Sequence, residues 1–180
     1  MVDENAAEQF LAFIREQAIS LASKHEVPST RQQWEQQSKE IRVRLLKALG
    51  GFPATKCKLN PQTLGKMSFD GYTVEKVVIQ TIPGVWMTAN IYRPDGDGPF
   101  PAVLCVHGHW KGAKQDPTVQ ARCIGLVKLG FLAMAVDAFG AGERGIEEPL
   151  GEYHGDMTAA TLYATGRMLP GIQVYENTRC

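Results

Sequence analysis

Serine is missing from most of this chain. All five serines (Ser20, Ser23, Ser29, Ser38 and Ser68) fall in the first 68 of 180 residues. No serine nucleophile can therefore come from residues 69–180. Net charge is missing too: 19 Lys and Arg balance 19 Asp and Glu. No field of one sign is available to gather nucleic acid or an anionic membrane, and neither is expected as a partner. The four cysteines (Cys57, Cys105, Cys123 and Cys180) show no C-x-x-C spacing. Cys105 and Cys123 lie in apolar runs and read as buried free thiols, compatible with a reducing interior and an expected cytoplasmic location. No apolar run approaches the roughly 20 residues that span a bilayer. Met1 to Ala22 is interrupted by Glu4, Glu8, Arg15 and Glu16, which is not the pattern of a signal peptide. What is present is ordinary globular material, 44% hydrophobic and 21% charged, which excludes a disordered or fibrous chain. The length predicts one domain, or one and a fraction.

Glycine is skewed opposite to serine, with 15 of 18 after position 70, so the two regions are built differently. Residues 3–24 carry Phe10, Leu11, Phe13, Ile14, Ile19 and Leu21 at helical spacing. Ser29 or Thr30 can cap a second helix, striped by Trp34, Ile41, Leu45, Leu46 and Leu49 and stopped by Gly50-Gly51. Residues 1–60 are thus predicted to form a helical arm, with a partner-binding helical hairpin as the alternative. From residue 69 the period changes. Tyr72–Gln80 and Val85–Tyr92, joined by Ile82-Pro83-Gly84, predict an antiparallel strand pair. Pro101–Val106 is a continuous apolar run, the mark of a strand buried on both faces. A helix over Pro117–Leu129 and a second buried strand over Phe131–Val136 complete a parallel βαβ unit, which should be right-handed. Asp156–Leu169 reads as a helix, Pro170-Gly171 as a break, and Ile172–Cys180 as the opening of a further helix. Two strands in the parallel region leave an apolar edge uncovered. That predicts the amino-terminal part of a larger protein, and an edge through which copies could self-associate.

The strongest local signal is Val106-His107-Gly108-His109-Trp110, directly after a buried strand. In open α/β sheets, ligands bind at the carboxyl ends of strands. A glycine there permits a tight turn, after which backbone amides can point at a developing oxyanion. The N–H of His109, with that of Trp110, is the candidate donor pair; the alternative is a plain strand-to-loop turn. The second signal is Asp137-Ala138-Phe139-Gly140-Ala141-Gly142-Glu143-Arg144, again after a buried strand. Asp137 reads as an acceptor of backbone N–H groups that shapes the site wall. His107, Gly108, Asp137 and His154 are the candidate pocket residues, although His154 also reads as a solvated loop residue. Gly140 to Gly145 fits G-x-G-x-x-G, but Pro149, Gly151 and Gly155 oppose the helix that a dinucleotide fingerprint must open. His107-x-His109 could be a metal pair, yet Lys111 and Gly112 stand where the H-x-H-x-D-H pattern needs its acid and third histidine. Cys180 lacks flanking elbow glycines and a histidine to activate it, so it is rejected as a nucleophile.

The run Pro101–Trp110, the helix 117–129 and the run Phe131–Arg144 together resemble the amino-terminal half of an α/β-hydrolase, in the acetyl xylan esterase-like and dienelactone hydrolase-like branch. The resemblance covers residues 69–180, with the first 60 matching only as an accessory helical region. It implies an α/β fold: a partial α/β-hydrolase sheet, preceded by the helical arm. It also implies acyl-ester hydrolysis by Ser, His and Asp, on a small ester, an acetylated carbohydrate among them, with no cofactor. This sequence departs from the family pattern. It has no G-x-S-x-G elbow, so nucleophile, acid and base are expected beyond Cys180, and the isolated chain is expected to be inactive. Two alternatives stay open: a non-catalytic binding module of α/β-hydrolase type, and a metal-dependent hydrolase using His107, His109 and Asp137.

Overall fold

The computed structural model describes residues 6–145 and 157–180. The chain divides into two compact units, Met1–Arg44 and Leu45–Cys180. Residues from Leu45 onward group with the second unit.

The first unit holds α1 (Ala6–Ser23) and most of α2 (Arg31–Ala48). Thr30 and Gln33 form a reciprocal cap: Thr30 Oγ1 accepts from the Gln33 N–H at 3.2 Å, and Gln33 Oε1 accepts from the Ser29 and Thr30 amides at 2.9 and 3.2 Å. Donors that the first helical turn would leave unpaired are satisfied this way. Gln37 reaches back to the Glu26 carbonyl at 2.9 Å and ties the connection to α2.

The second unit is built on a five-stranded mixed sheet in the order β1-β2-β3-β5-β4. Its strands are β1 (Gln62–Phe69), β2 (Tyr72–Ile82), β3 (Val85–Pro94), β4 (Ala102–Cys105) and β5 (Leu132–Val136). β2 and β3 form the predicted antiparallel pair, and β5 lies antiparallel to β3 with Ala89 opposite Val136. β4 lies parallel to β5 with Cys105 opposite Ala135, so both strands end at one level. The crossover is α3 (Pro117–Lys128). Asp116 caps it through the Thr118 N–H at 2.8 Å, and Pro117 fills the first helical position, where no N–H is needed.

Alternation along the strands makes two cores. On one face Val119, Cys123 and Val127 of α3 pack on Tyr72, Val74, Tyr92, Cys105, Ala133 and Ala135. On the other, Val77, Ile79, Met87, Ala89 and Val136 cluster together. Each fully buried valine contributes about 1.5–3 kcal/mol. Burial, then the neighbouring Cys105, pushes the Cys123 thiol up to about 12, as befits a core thiol.

Three expectations need correction. β1 was not foreseen: Gln62–Phe69 has a glycine, few β-branched residues and almost uniform exposure, so only its pairing with β2 defines it. β4 is a parallel strand but not an interior one. It lies at the end of the sheet, with Ala102 exposed, Val103 and Leu104 half-buried and only Cys105 buried. Pro170-Gly171 does not break the chain. The helix predicted over 156–169 stops early, as α4 (Met157–Ala164), where Gly166 takes φ 74°. Then α5 (Leu169–Asn177) begins with Pro170 in its first turn, where a missing N–H costs nothing.

Candidate active site at the strand ends

Because β4 and β5 are parallel and end together, the loops that follow them meet. His107 is the hinge pin. Its Nε2 accepts the Ala138 N–H at 3.2 Å, so the proton must sit on Nδ1, which donates to the Gly108 carbonyl at 2.7 Å. The imidazole therefore joins the two loops. Arg122 of α3 donates to the Val106 carbonyl at 2.5 Å and steadies the loop from below.

This wiring bears on several site expectations. The Trp110 N–H donates to the Gly108 carbonyl at 3.0 Å, and the Trp110 carbonyl accepts from Ala113 at 3.0 Å. The Trp110 N–H, one of the two expected oxyanion donors, is thus engaged within its own loop. Gly108 lies outside the left-handed region, and a Cβ there would meet only the Trp110 ring, at 3.6 Å. The turn does not demand a glycine. Both His107 nitrogens face bonded partners, Asp137 is claimed by a lysine, and the described residues hold no group of three metal-binding side chains. His154 lies outside the described residues.

Asp137 is fully buried and lines neither groove of the site. Its carboxylate accepts from Thr88 Oγ1 at 2.7 Å and from the amides of Lys114 and Glu143 at 3.2 and 3.3 Å. It also pairs with the Lys114 ammonium, which bonds Glu143 as well. Lys114 is buried on the loop that follows Trp110, next to Ala113, a non-glycine residue held at φ 47°. A second buried pair adjoins the first. Arg144 binds Glu176 of α5 at 2.7 and 2.9 Å and the Asp137 carbonyl at 3.0 Å, and Thr81 donates to Glu176 at 2.5 Å. The Arg144 guanidinium lies 5.2 Å from the centre of the Phe139 ring. Buried charges persist when paired and fully hydrogen-bonded, and these are. Sequence reading assigned Asp137 its backbone donors but missed Lys114, Thr88, Thr81, Glu143, Arg144 and Glu176. Lys114 sits in a short polar stretch with no period, and Glu176 lies 39 positions beyond Asp137, so only tertiary structure joins them.

Two grooves open at this end of the sheet. One, about 210 Å³, is lined by Val106, His107, Val136, Ala138, Pro170 and Gln173 among others. The other, about 410 Å³, runs from Trp86 and Thr88 to Phe139, Glu143 and Arg144. Cys180 is exposed at the surface, yet partial desolvation, then the negative charge of Glu176, pushes its thiol up to about 11.

A mixed sheet that turns parallel at one end, with two linked loops at the ends of its parallel strands and helices alongside, defines the α/β-hydrolase class. More particularly, the model of the Abhydrolase family matches residues 13–170, and the chain belongs to that family. The match takes in most of both amino-terminal helices. Among solved structures, a protein described provisionally as an acetyl xylan esterase from Bacteroides fragilis NCTC 9343 superposes with a TM-score of 0.68. It is 25% identical over 82% of this chain and 42% of its own. Methylesterase BT1017 gives a TM-score of 0.63 at 23% identity, over 84% of this chain and 34% of its own. Acetyl xylan esterase 1 from Thermoanaerobacterium sp. JW/SL YS485 gives 0.50 at 17% identity, over 77% and 42%. This chain spans about two fifths of the length of the first of these. No curated protein matches the sequence. Among the described residues no helix is long and apolar enough to cross a membrane.

Proposed function

We propose that the protein carrying these residues is a serine-type carboxylic ester hydrolase, acetyl xylan esterase-like, which acts on a small acetylated carbohydrate. Residues 69–180 supply the backbone donor for the oxyanion, the N–H of His109, and not the nucleophile, since none of them is serine. As the carbonyl carbon is attacked, negative charge builds on its oxygen, and a rigid donor beside that oxygen lowers the barrier. The observation that carries the reading is the joining of the His107–Trp110 loop to the Asp137–Arg144 loop through His107 and Lys114, at the ends of adjacent parallel strands.

The 180-residue chain should show no triad-dependent hydrolysis of 4-nitrophenyl acetate and no labelling by a serine-directed fluorophosphonate, since loss of a triad removes on the order of 10⁶ in rate. The full gene product should show both. Labelling of the 180-residue chain would overturn the reading. A full gene product that folds but hydrolyses no ester would favour the alternative of a binding module, which the lack of serine after Ser68 keeps in view.

A further inference from the structure

We infer that the groove between the β2–β3 turn and the loop after β5 is a subsite for a neutral saccharide, with Trp86 as its stacking platform. It deepens the ester-hydrolase reading, on which it rests for its place beside the chemistry. β3 runs antiparallel to β5, and the Thr88 carbonyl accepts the Asp137 N–H at 3.0 Å. Trp86 therefore stands three register positions past the end of β5, on the same end of the sheet as the His107–Trp110 loop. Trp86 is 37% exposed although it lines a groove, which Phe139 and Arg144 line as well.

Charge selects among ligands. The cluster beneath holds two cations, Lys114 and Arg144, against three carboxylates, Asp137, Glu143 and Glu176, which leaves one excess negative charge. Both cations are committed, with side chains 2% and 8% exposed. A phosphate or uronate thus finds no available cation and meets a net repulsion. Glu143 is half exposed and also lines the groove, so its carboxylate can accept bonds from hydroxyl groups. An exposed aromatic face with a carboxylate at its rim fits a ligand that has apolar C–H faces and an edge of hydroxyls, which is the chemistry of a neutral pyranose.

Xylotetraose titrated into the 180-residue chain and followed by saturation-transfer NMR tests the subsite without any need for hydrolysis. Binding is expected in the millimolar range or tighter, weakened at least about tenfold in Trp86→Ala, held within about threefold in Trp86→Phe and unchanged in Trp34→Ala. Phe keeps a stacking ring, so it separates lost stacking from lost fold. No binding at about 20 mM, equal affinity in Trp86→Ala and the parent, or equal competition by inorganic phosphate would each overturn the subsite. The two proposals fail separately. Saccharide binding through Trp86 in a full gene product that cleaves no ester removes only the hydrolase reading. Ester cleavage without saccharide binding removes only the subsite.

Discussion

Replacing Lys114 by methionine probes the joint that ties the two loops together. The side chains of Lys114 and Asp137 are 2% and 0% exposed, so water cannot take the place of the lost ammonium. Asp137 would keep Thr88 Oγ1 at 2.7 Å and the amides of residues 114 and 143 at 3.2 and 3.3 Å. Removing one partner of a buried pair costs about 3–5 kcal/mol. The three surviving neutral donors, and the half exposure that lets Glu143 turn to solvent, set the loss at the low end, about 3 kcal/mol. For a chain of this size that lowers Tm by roughly 6–12 °C. Urea unfolding followed by circular dichroism measures the difference directly, with the slope m unchanged. Lys114→Met combined with Asp137→Leu removes both charges, and should be more stable than the sum of the single losses predicts by about 1 kcal/mol or more. A loss below about 1 kcal/mol in the single variant, or strict additivity in the double, would show that the pair does not hold the loops.

Two further outcomes follow from the same region and its core. Gly142 takes φ 57°, and an added Cβ would lie 2.6 Å from Asp137 Cγ and 2.9 Å from Ala113 Cβ. Gly142→Ala should cost about 1–2 kcal/mol for the backbone and about 1–3 for crowding, whereas Gly125→Ala, in open space on α3, should add about 0.5–1; calorimetric melts moving in the same direction would contradict this. Burial pushes the Tyr92 hydroxyl up to about 12, as it does the Cys123 thiol, while unfolded chains release these protons near about 10 and about 8.5. Above about pH 8.5 the folded state therefore holds protons that the unfolded state has lost, so stability is full below that pH and falls as pH rises toward about 12. Denaturation midpoints that stay level between about pH 8 and 11 would be inconsistent with those buried groups.

Much of the fold was legible because burial writes itself into apolar periodicity. β2, β3, β5 and α3 each carry their pattern, and Asp116-Pro117 marks where α3 begins. β1 was illegible because an exposed strand needs no apolar alternation. The apolar run through Ala102–Cys105 was legible as a parallel strand but not as an edge, since composition reports affinity for a core and not which neighbours supply it. At the site, sequence marked the two loops that His107 joins. It could not foresee that Trp110 spends its N–H on Gly108, or that Lys114 and Glu176 come to rest around Asp137 and Arg144. Those facts depend on partners far apart in the chain.

The sheet has two margins of unequal character. β4 offers only four residues to a passing strand, whereas β1 offers eight and displays Leu64, Met67 and Phe69 to solvent. Misassembly by strand addition would thus begin at β1, where Lys66, drawn toward Glu75 at 3.4 Å, is the main deterrent. Anyone concentrating this polypeptide should first guard that margin, and a second charge in place of Leu64 is the simplest safeguard.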